Sequence, residues 1–397
     1  MHIGINAQLL SFSQNYRNGG VSRYIRSLLE ELARQPGEHE YTVFVNGQGV
    51  VEQLVAQHPQ ITYVPIAWRE ERPTTRVAWE QLSLPALIRQ RKIDVLHSPV
   101  NVQPERLPHT CAGVVTLPDL AFLRFPHVLT RAKRLYHRTF TVHSLRRATM
   151  IISLSESTKR DAVELVGVPA ERIQTVYPCI DARFTRSWDE EALRAFREKQ
   201  GLEQGFILYL GTLEPRKNID TLVEAYARLR QAYTIQEKLV LAGGKGWLYD
   251  AIFEKVQGLG LESEVLFPGY VADADQSLWY HAAAAFAYPS LYEGFGLPVA
   301  EALVSGVPVV TSNVSSLPEA GAGVALTVDP HNVEALAEAL HKALTEEEFR
   351  QRCKVMAPVV AQQFSAQSMG EQTRAVYERA AERRGSRSRS QRIVSVR

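Results

Sequence analysis

The chain predicts an α/β protein made of two Rossmann-like parallel-sheet domains, and three observations carry that prediction. Its 397 residues exceed one average domain and suit two. Short apolar runs alternate with segments of helical periodicity along most of its length, the pattern of parallel strands covered on both faces. The alternation breaks at a charged stretch from Pro178 to Gly205 and then resumes.

The first half opens with a strand at His2 to Asn6. A polar loop, Ser11 to Gly20, leads into a helix over Val21 to Arg34, where Tyr24, Ile25, Leu28, Leu29 and Leu32 recur at helical spacing. Strands are expected at Tyr41 to Asn46, Ile61 to Ile66, Ile93 to His97, Val114 to Asp119, Met150 to Ser155 and Ile173 to Tyr177. One intervening helix covers Ser157 to Val166. The second half starts with a buried strand in Gly205 to Gly211, followed by an amphipathic helix over Ile219 to Arg230. Ala285 to Tyr288 reads as a further strand. Helices close the chain at Asn332 to Thr345, Glu347 to Gln363 and Ala366 to Arg384. The domain boundaries are thus 1–180, a linker at 181–205, 206–365, a last helix at 366–384 and a tail at 385–397.

Composition excludes several classes. Apolar content of 45% and charged content of 22% are those of a globular protein. Cys111, Cys179 and Cys353 are scattered and lack any Cys/His metal spacing, so no disulfide and no zinc are expected, in a reducing cytoplasm. Met1 to Asn6 reads as a strand, not a signal peptide, and no apolar run approaches the roughly 18 residues of a membrane span.

Two segments carry chemistry. In Tyr292 to Leu303, Glu293 and Glu301 lie eight positions apart around Gly294, Phe295, Gly296 and Leu297. A strand, a tight glycine turn and a helix start leave backbone N–H groups that hold phosphate. The carboxylates repel phosphate and suit sugar hydroxyls. Glu301 is placed two turns into the helix. The second segment, Gly211 to Asn218, joins a strand end to a helix, the ligand edge of an open α/β sheet. There Arg216 and Lys217 are able to neutralise a diphosphate without a metal. Together the segments suggest a nucleotide sugar. The plain alternative is ordinary loop chemistry: solvated glutamates, a solvated Arg-Lys pair, and Asn218 as a helix cap.

These segments resemble the retaining family-4 glycosyltransferases of the two-domain GT-B fold. Glu293 through Glu301 is similar to that family's E-x7-E motif, and Gly211 to Asn218 to its G-T-x-E-P-R-K-N loop. Lys245-Gly246-Trp247 after Gly243-Gly244, Phe267-Pro268-Gly269-Tyr270, Gly306 to Val310 and Ser315 to Glu319 match in the same order. The first half resembles the family more loosely. The resemblance implies donor hydroxyls at Glu293, ribose hydroxyls at Glu301, and diphosphate at Arg216, Lys217 and the N–H groups near Phe295, Gly296 and Leu297. It implies base contacts around Tyr270 and Val271, and a first glycine loop at Gly19 and Gly20 against the diphosphate. Tyr16 and Arg17 are acceptor-side candidates. It implies no cofactor beyond the nucleotide sugar, and a last helix that crosses to the first domain.

There is one departure. Thr116 to Phe122 resembles the family's T-I-H-D-L-A-F segment, with Pro118 where a histidine is usual. Asp119 is the candidate substitute, and catalytic competence is the property in question. His97 is read as structural or acceptor-side.

Three classes remain open. The favoured one is a hexosyltransferase acting on a saccharide or lipid-linked saccharide, with GDP-mannose the first donor. The others are another enzyme of the same fold, such as a nucleotide-sugar epimerase, and a non-catalytic nucleotide-sugar-binding protein. Nucleic acid is not an expected partner. Arg383 to Arg397 holds six arginines and no acid; the chain carries +2, so the remainder carries −4. This tail is expected to be disordered. A second basic group, Arg131, Lys133, Arg134, Arg138, Arg146 and Arg147, is either a solvated face or a peripheral dock for an anionic membrane or lipid phosphate.

Overall fold

The computed structural model describes residues 1–12, 20–66, 73–125, 131–244, 246 and 249–394, with the backbone alone at 73–74, 131–133, 249 and 387–394. The chain divides into two compact units, Met1–Cys179 with Ala366–Arg397, and Ile180–Ser365.

The first unit holds seven strands: β1 His2–Asn6, β2 Glu40–Asn46, β3 Thr62–Ile66, β4 Val95–Ser98, β5 Ala112–Leu117, β6 Met150–Ser153 and β7 Ile173–Thr175. All pair in parallel in the order β3-β2-β1-β4-β5-β6-β7. The order reverses between β1 and β4, which makes that junction the switch point of the sheet. Helix Gly20–Arg34 buries Tyr24, Ile25, Leu28, Leu29 and Leu32, the stripe its spacing predicts. Arg34 in its last turn suits the negative end of the helix dipole.

The second unit holds six strands: β8 Phe206–Leu210, β9 Lys238–Ala242, β10 Val265–Gly269, β11 Ala285–Tyr288, β12 Val309–Ser312 and β13 Leu326–Val328. They too are parallel, in the order β10-β9-β8-β11-β12-β13, and the order reverses between β8 and β11. β8, β11 and β12 are buried at every position, as strands covered on both faces require.

Two expectations are corrected. The stretch 181–205 is not a bare linker. It belongs to the second unit and carries the helix Glu190–Gln200. Asp189 caps that helix by accepting from the Ala192 N–H at 2.7 Å, and Gly201 ends it in the left-handed conformation. Phe196 packs edge-on against Trp279, with ring centroids 4.9 Å apart. These cap signals lie inside the charged pattern that suggested a linker. The last helix, in turn, runs Ala366–Val394, beyond the expected end at Arg384 and into the stretch expected to be disordered. It contains no proline, and once a helix is nucleated each further residue adds a hydrogen bond at little cost. No helix among the described residues is long and apolar enough to cross a membrane.

Candidate nucleotide-sugar site

The site grows from the β8/β11 switch point. β8 and β11 lie side by side, with Ile207 opposite Ala285 and Leu208 opposite Phe286, so the loops leaving their carboxyl ends converge. After β8 the chain passes Gly211 and enters a 3-10 turn, Pro215–Lys217. After β11 it passes Glu293 and enters the helix Leu297–Val304.

Close backbone packing explains the glycines. At Gly243 φ is +149°, and a Cβ would sit 1.8 Å from the Gly211 carbonyl oxygen, so the loops after β8 and β9 touch backbone to backbone. Gly296 has φ +104°, a region side chains disfavour, and its Cβ would meet Leu317 at 2.9 Å. It stands at the N-cap of Leu297–Val304, and Phe295 beside it packs edge-on against Phe364.

The structure brings Arg216, Lys217 and Glu293 together. Lys217 Nζ donates to Glu293 Oε1 at 2.6 Å and to the Tyr288 hydroxyl at 2.7 Å. Arg216 lies 3.2 Å from Glu293 Oε2 and 2.7 Å from Glu214 Oε1. Ser290 Oγ donates to Glu293 Oε1 at 2.7 Å. Burial pushes the Glu293 carboxyl up, but Lys217 and Arg216 more than offset it and hold the group at about 2. Two cations thus meet two carboxylates, Glu214 and Glu293, and the four side chains sum to zero charge. Tyr288 stacks on Tyr209 at 5.6 Å, and burial together with the Glu293 charge raises both phenols.

The Glu293 backbone is held as firmly as its side chain. Its N–H donates to Ser315 Oγ at 3.0 Å, and its carbonyl accepts from Ser315 at 2.7 Å and Ser316 at 2.8 Å. The Ser315-Ser316 segment therefore pins the glycine turn, a role the motif match alone did not reveal.

Glu301 lies four residues after Leu297, just over one turn into the helix rather than two. It is 4% exposed and accepts from the Tyr280 hydroxyl at 3.0 Å. Asn218 is the N-cap residue of Ile219–Ala232, yet its side chain does not cap that helix. Its amide instead donates to the carbonyls of Pro289 at 3.1 Å and Pro330 at 2.6 Å, tying the two loops together. Gly294 lies in the turn before the helix. Tyr270 follows β10 and is 66% exposed, while Val271 is buried.

The remaining candidates belong to the first unit. Asp119 Oδ1 accepts from the Ala121 N–H at 2.8 Å, a local turn beside Pro118. Gly20 begins the helix Gly20–Arg34, and a Cβ there would meet no atom of the described residues within 4 Å. Gly19, Tyr16, Arg17, Lys245 and Trp247 lie outside the described residues. His97 is fully buried between the Tyr377 hydroxyl and Thr116 Oγ1, each 2.8 Å away, and burial drops its pKa to about 3. It is a neutral core histidine. Arg134, Arg138 and Arg146 line a cavity of about 560 Å³ with Phe122, Leu123, Val142 and Leu165, and the nearby Leu135 is 68% exposed.

The model "Glycosyl transferases group 1" matches residues 193–358, and "Glycosyltransferase Family 4" matches 18–184. The O-antigen chain mannosyltransferase B of Escherichia coli is 30% identical over 367 residues, covering 89% of this chain and 94% of that protein. The serotype-specific mannosyltransferase WbdA of the same organism is 25% identical, covering 92% of this chain but 46% of its own length. Among solved structures, Anabaena Alr3699/HepE in complex with UDP and glucose superposes with a TM-score of 0.70 at 18% identity, over 95% of this chain and 99% of that one. WaaG, a glycosyltransferase involved in lipopolysaccharide biosynthesis, superposes with 0.68 at 20% identity, over 94% and 98%. The structural likeness bears on the fold.

Proposed function

Because this chain belongs to the group 1 and family 4 glycosyltransferases, we propose that it transfers mannose from GDP-mannose to a saccharide or lipid-linked saccharide, with retention of anomeric configuration. The observation that carries this reading is the Lys217–Glu293–Arg216 cluster beside the start of Leu297–Val304, in a chain 30% identical to a mannosyltransferase.

In this reading the donor diphosphate lies against Lys217, Arg216 and the N–H groups of the helix start. An ammonium has three hydrogens, and Tyr288 and Glu293 take two of those on Lys217, leaving the third for a phosphate oxygen. The bond from the anomeric carbon to the diphosphate breaks, and the acceptor hydroxyl oxygen bonds to that carbon on the same face. The hydroxyl proton passes to the leaving diphosphate. Charge grows on the diphosphate as the bond breaks, so donors already fixed there favour the transition state over the ground state. Glu293 holds the two cations in place and offers Oε2 to a sugar hydroxyl. Glu301 takes the ribose hydroxyls, with Tyr280 orienting it. The backbone at Tyr270 and Val271 meets the base. By the family resemblance, Gly20 and Asp119 are the first unit's candidates for contact with the donor. The cations make a metal unnecessary, and no cofactor takes part.

The protein works in the cytoplasm. A peripheral contact with an anionic membrane, through the arginine-lined cavity and exposed Leu135, brings it to a lipid-linked acceptor. Pro118 favours the second reading, a protein that binds the nucleotide sugar without turning it over.

The deciding experiment is binding and slow hydrolysis of GDP-mannose, UDP-glucose and UDP-N-acetylglucosamine by the purified protein without added metal. Saturable binding and mannose release from GDP-mannose support the proposal. Binding without release, with saccharides added, favours the second reading. No binding defeats the assignment of Arg216, Lys217 and Glu301.

A further inference from the structure

The first sheet has its own switch point, between β1 and β4, and the donor chemistry does not use the residues beside it. Asn6 ends β1 at 3% exposure, and Gln8 follows at 4%. Glu80, at 0%, comes from the π-helical turn Trp79–Ser83, a local helix irregularity common at functional sites. The three form a one-way chain. Gln8 Nε2 donates to Asn6 Oδ1 at 2.8 Å, and Asn6 Nδ2 donates to Glu80 Oε1 at 2.8 Å.

Both ends of the chain are unfilled. Among the described residues, neither Glu80 Oε2 nor Gln8 Oε1 meets a donor. Each such buried atom costs on the order of 1–3 kcal/mol, so a purely structural cluster would be better replaced by apolar side chains. Burial pushes the Glu80 carboxyl up to about 7, against the opposing pull of Arg76 and the Asn6 amide, while Arg76 also bonds Tyr136. The missing component is a hydrogen donor at each end. A phosphate carries the wrong charge for Glu80 and brings acceptors to acceptors. A polyol brings several hydroxyl hydrogens.

We propose that Asn6, Gln8 and Glu80 form a subsite for the acceptor saccharide, in which Glu80 Oε2 and Gln8 Oε1 take hydroxyl hydrogens of the incoming sugar. Glu80 determines specificity there in its ionised form, whose Oε2 only accepts, and burial makes that form dominant only above about pH 7. The subsite rests on the glycosyltransferase reading and adds to it the residues of the first unit that read sugar hydroxyls. Near-complete burial admits hydroxyls rather than a whole ring.

The test uses the full chain, Glu80→Gln and Gln8→Ala, with α-1,2- and α-1,3-mannobiose as acceptors and GDP-mannose as donor. A hydrogen bond to a charged group contributes roughly 1.5–3 kcal/mol, so at a pH well above 7, where Glu80 is ionised, the acceptor KM in Glu80→Gln should rise at least about tenfold. Gln8→Ala should raise it by less, and both variants should keep wild-type GDP-mannose affinity and melting temperature. An unchanged acceptor KM overturns the subsite. So does a joint loss of donor affinity and melting temperature in both variants, which would make the cluster a fold element. A wild-type protein that hydrolyses GDP-mannose but binds neither mannobiose also overturns it, while leaving the donor reading intact. A wild-type protein that does not bind GDP-mannose defeats the donor reading itself.

Discussion

Lys217 and Glu293 stand 76 positions apart in sequence and meet at 2.6 Å, one leaving the end of β8 and the other the end of β11. The Lys217 side chain is 10% exposed and that of Glu293 11%; Lys217 takes Glu293 as its charged partner, and Glu293 also meets Arg216. The Lys217 ammonium therefore sits in a geometry that the fold sets before any ligand arrives.

Lys217→Ala should lower kcat/KM for transfer by roughly 100- to 1000-fold, the usual cost of removing one donor to a developing charge. It should also destabilise the protein, because Glu293 keeps only Arg216 as a cation. Lys217→Ala combined with Glu293→Gln should recover much of the melting temperature and none of the turnover. Near-wild-type turnover in either variant would remove Lys217 from the diphosphate.

Acid should act through Glu293 in a defined window. Its folded pKa, about 2, lies below the 4.5 of an ordinary glutamate, so the stability it contributes is present above 4.5 and is lost as pH falls towards 2. Chemical denaturation of the wild type and Glu293→Gln across that range should show a smaller decline in the variant. Parallel curves would mean that the ion pair contributes no net linkage.

His97 gives a second window, at higher pH. Its folded pKa of about 3 lies below the 6.5 of an ordinary imidazole, so the unfolded chain binds the extra proton first. Stability should fall as pH drops from 6.5 towards 3. His97→Gln, whose amide is able to meet both Thr116 and Tyr377, should flatten this slope. An unchanged slope would place the proton uptake elsewhere.

Gly296→Ala should destabilise the protein by about 1–3 kcal/mol, through a positive φ and a Cβ pressed on Leu317. It should weaken nucleotide binding at the same time, since the helix start moves with it. Calorimetry with GDP reads the second effect. Intact affinity would separate the glycine turn from the phosphate.

Glu301→Gln should raise the Kd for GDP at least about tenfold if the carboxylate accepts ribose hydroxyls. Tyr280→Phe should raise it by less, since the phenol only orients Glu301. EDTA should leave transfer unchanged; activity lost to chelator and restored by metal would contradict a phosphate site built on cations alone.

Local chemistry determined much of this protein. Binary patterns placed the seven strands of the first unit, the strands Phe206–Leu210 and Ala285–Tyr288 and the helix Gly20–Arg34, because strand and helix periods depend on neighbours a few residues away. Loop composition marked Arg216, Lys217, Glu293 and Gly296, because a strand-to-helix turn has a short vocabulary of residues. The cap signals of the helix Glu190–Gln200 lie inside a charged pattern that reads as a linker. Only the tertiary structure decided which residues meet. It paired Lys217 with Glu293, sent the Asn218 amide to Pro289 and Pro330, and buried Glu80 beside Asn6. Those outcomes depend on strand order and on which loops converge at a switch point. Residues 74 and 76 positions apart leave no periodic trace of such contacts in the chain.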